Sequence, residues 1–359
     1  MKKTLYIHIG HFKTGTTALQ IFFSQNQKYL NSLGIEFATS HGHLSKHSAL
    51  AFCIYKEAEV SALMHGYGDP EPPLEKWEHF LNYVRGNSQK TTLISSEEFI
   101  RVGEFPKAGE ILKKIVDRNR DVEIKAVVYL RSPQTHLRSW YNQLIKMRIE
   151  TPDFSSALHS TIESIHYDYD KALLPWINAL GAENIIVREY FGAAKDSFFL
   201  IKDFMSCLGA EVPKSLLGAV GDPNPRMDDR VIEIIRMMQN TGIARKSVEA
   251  IKRRVAAYIE CQDNLVSDDP VDTELVQRQS LSGLKNLARL PRCNIDIDRF
   301  RAEISDPQSP ETRELNLALG FAFSEIISLR QRLNRLEAIE VEERLVSLEQ
   351  IQKSPGGEQ

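Results

Sequence analysis

Thr4-Leu-Tyr-Ile-His-Ile-Gly10-His-Phe-Lys13-Thr14-Gly15-Thr16-Thr17 reads as a strand that runs into a glycine-bounded loop and then into a helix. Residues 4–9 are rich in β-branched and aromatic side chains and are closed by Gly10, which is a strand signal. From Thr16 onward Leu19, Ile21, Phe22 and Leu30 recur at helical spacing, and Gly34 stands where a C-terminal cap belongs. Strand, loop and helix in that order open a parallel α/β unit. The backbone N–H groups and the positive end of such a helix converge on the loop, so the chemistry it suits is anion binding.

Outward from this unit, short strands are expected at 35–38, 92–95, 124–130 and 185–187, with helices near 107–119, 134–148, 168–180 and 196–208. The alternation predicts an α/β fold with a central parallel sheet flanked by helices, its core spanning 1–215. Gly- and Pro-rich loops are expected at 66–76, before a helix starting near Trp77, and at 218–225. A mostly helical remainder, 216–313, completes one domain of 1–313; helices are expected at 227–240 and 248–261, while 262–314 is polar and punctuated by prolines. A long helix is expected over 314–352 and a disordered tail over 353–359. In that helix Ile326, Leu329, Leu333, Leu336, Leu345 and Leu348 sit near three- and four-residue spacing, broken around Glu340. Two readings stand: a helix packed on its own domain, or a coiled coil that makes a homo-oligomer.

Composition narrows the classes. With 359 residues, 42% of them apolar, the chain can bury a large core. A formal charge of −3 gives no chain-wide attraction to nucleic acid or to an anionic membrane, so anion binding has to be local. No stretch approaches the roughly eighteen apolar residues of a membrane span. Cys53, Cys207, Cys261 and Cys293 lie far apart with no C-x-x-C pair, which fits a reduced, cytoplasmic chain without structural zinc.

The loop differs from a Walker loop, which places its lysine immediately before the Ser or Thr that holds magnesium. Here that slot is filled by Thr16, and the lysine is Lys13, ahead of the second glycine. A lysine so placed meets the end of a phosphate chain and suits a donor with one bridging oxygen to stabilise. Thr14, Thr16 and Thr17 offer hydroxyls to a 5′-phosphate without requiring a metal. A second constellation lies in Val127-Val-Tyr-Leu-Arg131-Ser-Pro133-Gln-Thr-His-Leu-Arg138-Ser139. Arg131 emerges at a strand's carboxyl end, Pro133 fits the first helical turn, and Ser139 follows about two turns on, where it can share a phosphate with the guanidinium.

Together the two segments resemble the PAPS-dependent sulfotransferases, in the bacterial branch that opens with His-Ile-Gly, two residues, and Lys-Thr-Gly-Thr-Thr. The resemblance covers about the first 210 residues and implies a P-loop NTPase-like sulfotransferase fold. It implies 3′-phosphoadenosine 5′-phosphosulfate (PAPS) as donor, PAP as product and no metal. Lys13, Thr14, Gly15, Thr16 and Thr17 would then form the 5′-phosphosulfate site, and Arg131 and Ser139 the 3′-phosphate site. It also implies a carbohydrate as acceptor. Sulfuryl transfer needs a base, and Thr92-Leu-Ile-Ser95-Ser96-Glu97-Glu98 runs a strand into two carboxylates. Glu97 is the first choice and Glu98 the second, with His47 still open; the plain alternative is a helix-start carboxylate pair capped by Ser95 or Ser96. His8 reads as a core histidine and His11 as a shaper of the loop, while His43 and His47 match half a metal site with no third ligand. Arg188 and Arg226 read as structural. A nucleotide-dependent kinase and a non-catalytic oligomeric binding protein with a vestigial site are the competing functions.

Overall fold

The computed structural model describes residues 2–39, 45–60, 71–191, 198–216, 229–240, 273–304, 326, 327, 329–336 and 339. The chain divides into two compact units. The first comprises Met1–Met147, Pro152–Arg226 and Val271–Pro307, and the second Arg148–Thr151, Met227–Pro270 and Gln308–Gln359.

The first unit is built on a six-stranded sheet in the order β2-β3-β1-β4-β5-β6. Its strands are β1 (Thr4–His8), β2 (Ile35–Phe37), β3 (Thr91–Ser95), β4 (Glu123–Leu130), β5 (Ile185–Glu189) and β6 (Cys293–Asn294), and every pairing is parallel. The five strands expected from sequence are all present. Parallel strands covered on both faces read as near-continuous apolar runs, and β4 shows this, with its last five residues buried.

Crossover helices are α1 (Thr16–Gln25), α2 (Gln27–Ser32), α3 (Ser48–Glu57), α4 (Pro73–Gly86), α5 (Pro106–Arg118), α6 (Pro133–Lys146), α7 (Phe154–Ser160), α8 (Tyr169–Leu180) and α9 (Phe199–Cys207). Pro73, Pro106 and Pro133 each open a helix, where the missing N–H costs nothing. Against one face of the sheet, Phe22 and Phe23 of α1 pack with Phe37, Tyr129 and Phe204. Complete burial of one such ring contributes about 1.5–3 kcal/mol. Two of the large buried aromatics use their polar atoms: Trp77 Nε1 donates to the Leu50 carbonyl at 2.9 Å and Tyr129 Oη to Asp203 at 2.7 Å.

The structure departs from the sequence reading at several places. The proline-punctuated stretch after 262 holds a helix at Thr273–Leu287, strand β6 and a helix at Ile297–Ile304. A two-residue strand is too short to show a period, and it forms because β5 offers it an edge. α3 and α7 were not expected either. In the second unit α10 (Asp229–Asn240) forms as expected and buries Val231 and Ile232. Helical residues occur within the expected 314–352 helix, at 326, 327, 329–336 and 339. The helix expected at 248–261, loop 218–225, residues 66–70, His43, Arg226 and the tail 353–359 lie outside the described residues. Among the described residues no helix is long and apolar enough to cross a membrane.

Candidate active site

β1 lies between β3 and β4, so one edge of the sheet gathers three carboxyl ends. His8 is in register with Ser95 and with Val127, which brings the loop after β1, the residues after Ser95 and the residues after Leu130 to the same side. Ligands of open α/β sheets collect at such strand ends.

The loop is wound tightly. Lys13 has φ 63° and Gly15 φ 78°, two left-handed residues within three positions. A non-glycine residue in that region stores strain of the kind found at ligand clamps. At Gly15 a Cβ would lie 2.5 Å from Leu200 and 3.0 Å from Tyr190, so space as well as φ demands glycine. At Gly10 a Cβ would lie 2.5 Å from the Thr16 hydroxyl. The three threonines divide their roles. Thr14 Oγ1 donates to the His11 carbonyl at 2.6 Å and so closes the turn, while Thr17 is exposed. Thr16 is buried and its hydroxyl has no hydrogen-bond partner. α1 also begins without a side-chain cap or an acidic residue in its first turn. An uncapped helix start beside an unsatisfied hydroxyl is a cradle with hydrogen bonds left to give.

Lys13 Nζ donates to Gln143 Oε1 of α6 at 3.3 Å. That contact ties the loop to the helix that begins just after Arg131 and carries Ser139. Arg131 is half-buried; its Nε donates to Thr135 Oγ1 at 3.1 Å, and its carbonyl accepts from Tyr169 Oη at 2.6 Å. Ser139 is half-buried on α6. Lys13 and Arg131 both act on His136, in the first turn of α6, which they flank electrostatically. The loop and the strand-end arginine therefore share one edge and one helix.

After β3 the chain turns into a 3-10 helix, Glu97–Glu104, capped by the Ser96 hydroxyl, which accepts from the Glu98 N–H at 3.2 Å. The two adjacent carboxylates then part. Glu97 faces the edge, ion-paired with Lys46 and accepting from Gln20 Nε2 of α1 at 3.4 Å. Glu98 is only 3% exposed; burial raises its carboxyl to about 7, opposed by the Arg101 guanidinium and helped by Glu97. Its Oε2 has no partner. His47 is buried between two strand ends, with Nε2 donating to the Ala38 carbonyl at 2.9 Å and Nδ1 accepting from the Ser95 N–H at 3.1 Å. A histidine holding two backbone groups has no ring nitrogen left for an acceptor proton. Arg188 is ion-paired with Asp203, beside a cavity of about 280 Å³ that the two residues help to line.

Behind the loop, His11, His136 and His166 each bring a ring nitrogen within 4.8 Å of the others. His11 Nε2 donates to the Ile165 carbonyl at 3.1 Å, and His136 Nε2 and His166 Nδ1 share one hydrogen bond of 2.9 Å. Burial lowers His11 to about 4 and takes His136 and His166 well below the ordinary value, so all three are neutral at pH 7. Spacing of this kind can hold a metal. Here, however, Lys13 and Arg131 act on His136 and Arg101 on His166, and the cluster itself brings no carboxylate. As neutral rings in edge-to-face and stacked contact, the three pack together behind the loop.

Sequence reasoning missed Gln143, Gln20, Lys46, His136 and His166. Gln20 lies one helical turn beyond Thr16, and His136 stands inside the Arg131–Ser139 motif, so those two had a positional signal. Lys46 and His166 had none, since only the tertiary fold brings them in.

No family model matches the chain, and no curated protein matches its sequence. Among solved structures, a sulfotransferase from Alicyclobacillus acidocaldarius aligns with 69% of this chain and 99% of its own, at 15% identity and a TM-score of 0.40. A likeness at that level leaves the function to be argued from the residues of this edge.

Proposed function

We propose that the chain is a PAPS-dependent sulfotransferase that moves a sulfuryl group from PAPS to an acceptor hydroxyl, with a carbohydrate as the acceptor class suggested by the family resemblance. The observation that carries this reading is the contact of Lys13 with α6, which joins the loop to the helix that carries Ser139 and begins just after Arg131. Such a donor carries anionic groups at both ends of its nucleoside, and this edge offers a cradle for each. Thr16, Thr17 and the first N–H groups of α1 would hold the 5′ end, and Arg131 and Ser139 the 3′-phosphate. Thr14 and Gly15 shape the loop that aims them.

In the transfer the acceptor oxygen forms a bond to sulfur while the bond from sulfur to the bridging phosphate oxygen breaks, and the acceptor proton passes to Glu97. Lys13 stabilises the charge that develops on the departing oxygen. Positioning and electrostatics then carry most of the rate, as in phosphoryl transfer. Glu97 is favoured over Glu98 because it faces the edge, whereas Glu98 is buried and half-protonated near neutrality.

Thermal shift tests the reading directly. PAP without metal should raise the melting temperature, and Lys13→Ala should retain that shift in large part while losing about 10²–10³-fold in sulfate transfer from labelled donor to a glycan panel. A response to ATP only with magnesium would make the chain a kinase. Silence toward both nucleotides would leave a vestigial site.

A further inference from the structure

The C-terminal segment carries an apolar stripe that the proposed site does not use. Ile326, Leu329, Leu333 and Leu336 lie on helical residues, and each is more than half exposed, at 56%, 58%, 55% and 63%. Their spacing of three, four and three residues is the a, d, a, d pattern of a heptad, so all four fall on a single seam. Ile327, one residue off the seam, is by contrast only 7% exposed. Scattered exposed leucines need no explanation, but four on one line do.

We propose that this seam is covered by the same seam of a second copy of the chain, as a parallel two-stranded coiled coil. The charges beside the seam select that occupant. In the sequence register set by Ile326 at a, Glu325 and Arg332 take g positions, and Arg330 and Glu337 take e positions; Glu325 and Glu337 lie outside the described residues, so their places are those of the sequence register alone. In a parallel pair each g residue faces the e residue of the partner's following heptad. Glu325 then meets the partner's Arg330, and Arg332 meets the partner's Glu337, so both contacts are of opposite sign. An antiparallel pair instead sets g against g and e against e, and in the register that stacks all four apolar positions this brings Arg332 against the partner's Arg332 and Arg330 against the partner's Arg330. In the first heptad Ile326 at a with Leu329 at d also fits two strands. Two heptads alone make a marginal helix, so association stabilises the segment as well as covering it.

The full chain, 40.9 kDa as a single copy, is run by size-exclusion chromatography with light scattering over a concentration series. Twice that mass is expected. Leu329→Glu/Leu333→Glu should give single-copy mass while its melting temperature with PAP and its donor affinity match the parent, which separates lost association from lost folding. Arg332→Glu sets carboxylates against each other in the parallel pair and should weaken association roughly tenfold, and adding Glu337→Arg should restore it. Single-copy mass at every concentration, a trimer or tetramer, or a dimer untouched by the double leucine change overturns the proposal. Tighter association of Arg332→Glu overturns the parallel orientation, since that change relieves an arginine pair only in the antiparallel one.

Discussion

At the carboxyl end of β1 polar groups are left uncommitted, whereas at the carboxyl end of the adjacent β3 nearly all are engaged. The loop after β1 holds Thr16 with an unsatisfied buried hydroxyl and a helix start without a cap, while its Lys13 is held on Gln143. After β3, Ser95 Oγ meets His8 Nδ1 at 2.8 Å and Gln20 at 3.2 Å, Ser96 caps its helix, and Glu97 is paired with Lys46. Unspent hydrogen bonds are costly unless a ligand takes them, and satisfied ones hold a side chain in place. The difference suits one end to gripping an anion and the other to presenting a fixed carboxylate.

The largest expected effect tests the β3 end. Glu97→Gln keeps the shape and removes the base, so kcat should fall about 10²–10⁴-fold with donor affinity little changed. If Glu98→Gln instead gave the larger kcat loss, the two carboxylates would have to exchange roles. Next is the anion-gripping side: Arg131→Ala should weaken PAP binding by about 10–100-fold in a calorimetric titration, the scale of a lost charged hydrogen bond. Unchanged affinity would remove Arg131 from the donor site and with it half of the contrast.

The smallest effect concerns stability and its pH dependence. The Glu98 carboxyl is raised in the folded state, so between the ordinary carboxylate value and about 7 the folded protein holds a proton that the unfolded chain has lost. Stability from this group is therefore full at low pH and lost as pH rises through that window. Glu98→Gln should gain on the parent by roughly 1–3 kcal/mol between about pH 5 and 8 in urea unfolding. Buried histidines act in the opposite direction. His8, lowered to about 3, and His11, lowered to about 4, together with His136 and His166, stay neutral when folded and cost stability as pH falls below the ordinary histidine value. Comparing variant with parent cancels that common term. Parallel pH curves for the two proteins would show that Glu98 is not perturbed.

Most of the sheet was legible before any coordinates, and so were the residues of the candidate site. Local patterns carried them: β-branched runs bounded by glycine, a lysine displaced from the Walker position, an arginine and a proline where a strand gives way to a helix. β6 and the helix at Thr273–Leu287 were not legible, because a two-residue strand has no periodicity of its own and exists only as an edge on β5. Likewise Glu97 and Glu98 are neighbours of one residue type, and nothing local separates an ion-paired carboxylate at the edge from a buried one.

By itself the sequence determined the parallel α/β architecture and singled out the loop after β1 as the candidate anion site, since both readings rest on short-range chemistry that the backbone must obey wherever it folds. Only the tertiary structure decided which groups remain free to act. It seated Lys13 on Gln143, paired Glu97 with Lys46, buried Glu98 and spent both nitrogens of His47 on backbone partners. Those outcomes depend on burial and on partners distant in sequence, which set the energy of a charge or a hydrogen bond and which no local pattern encodes.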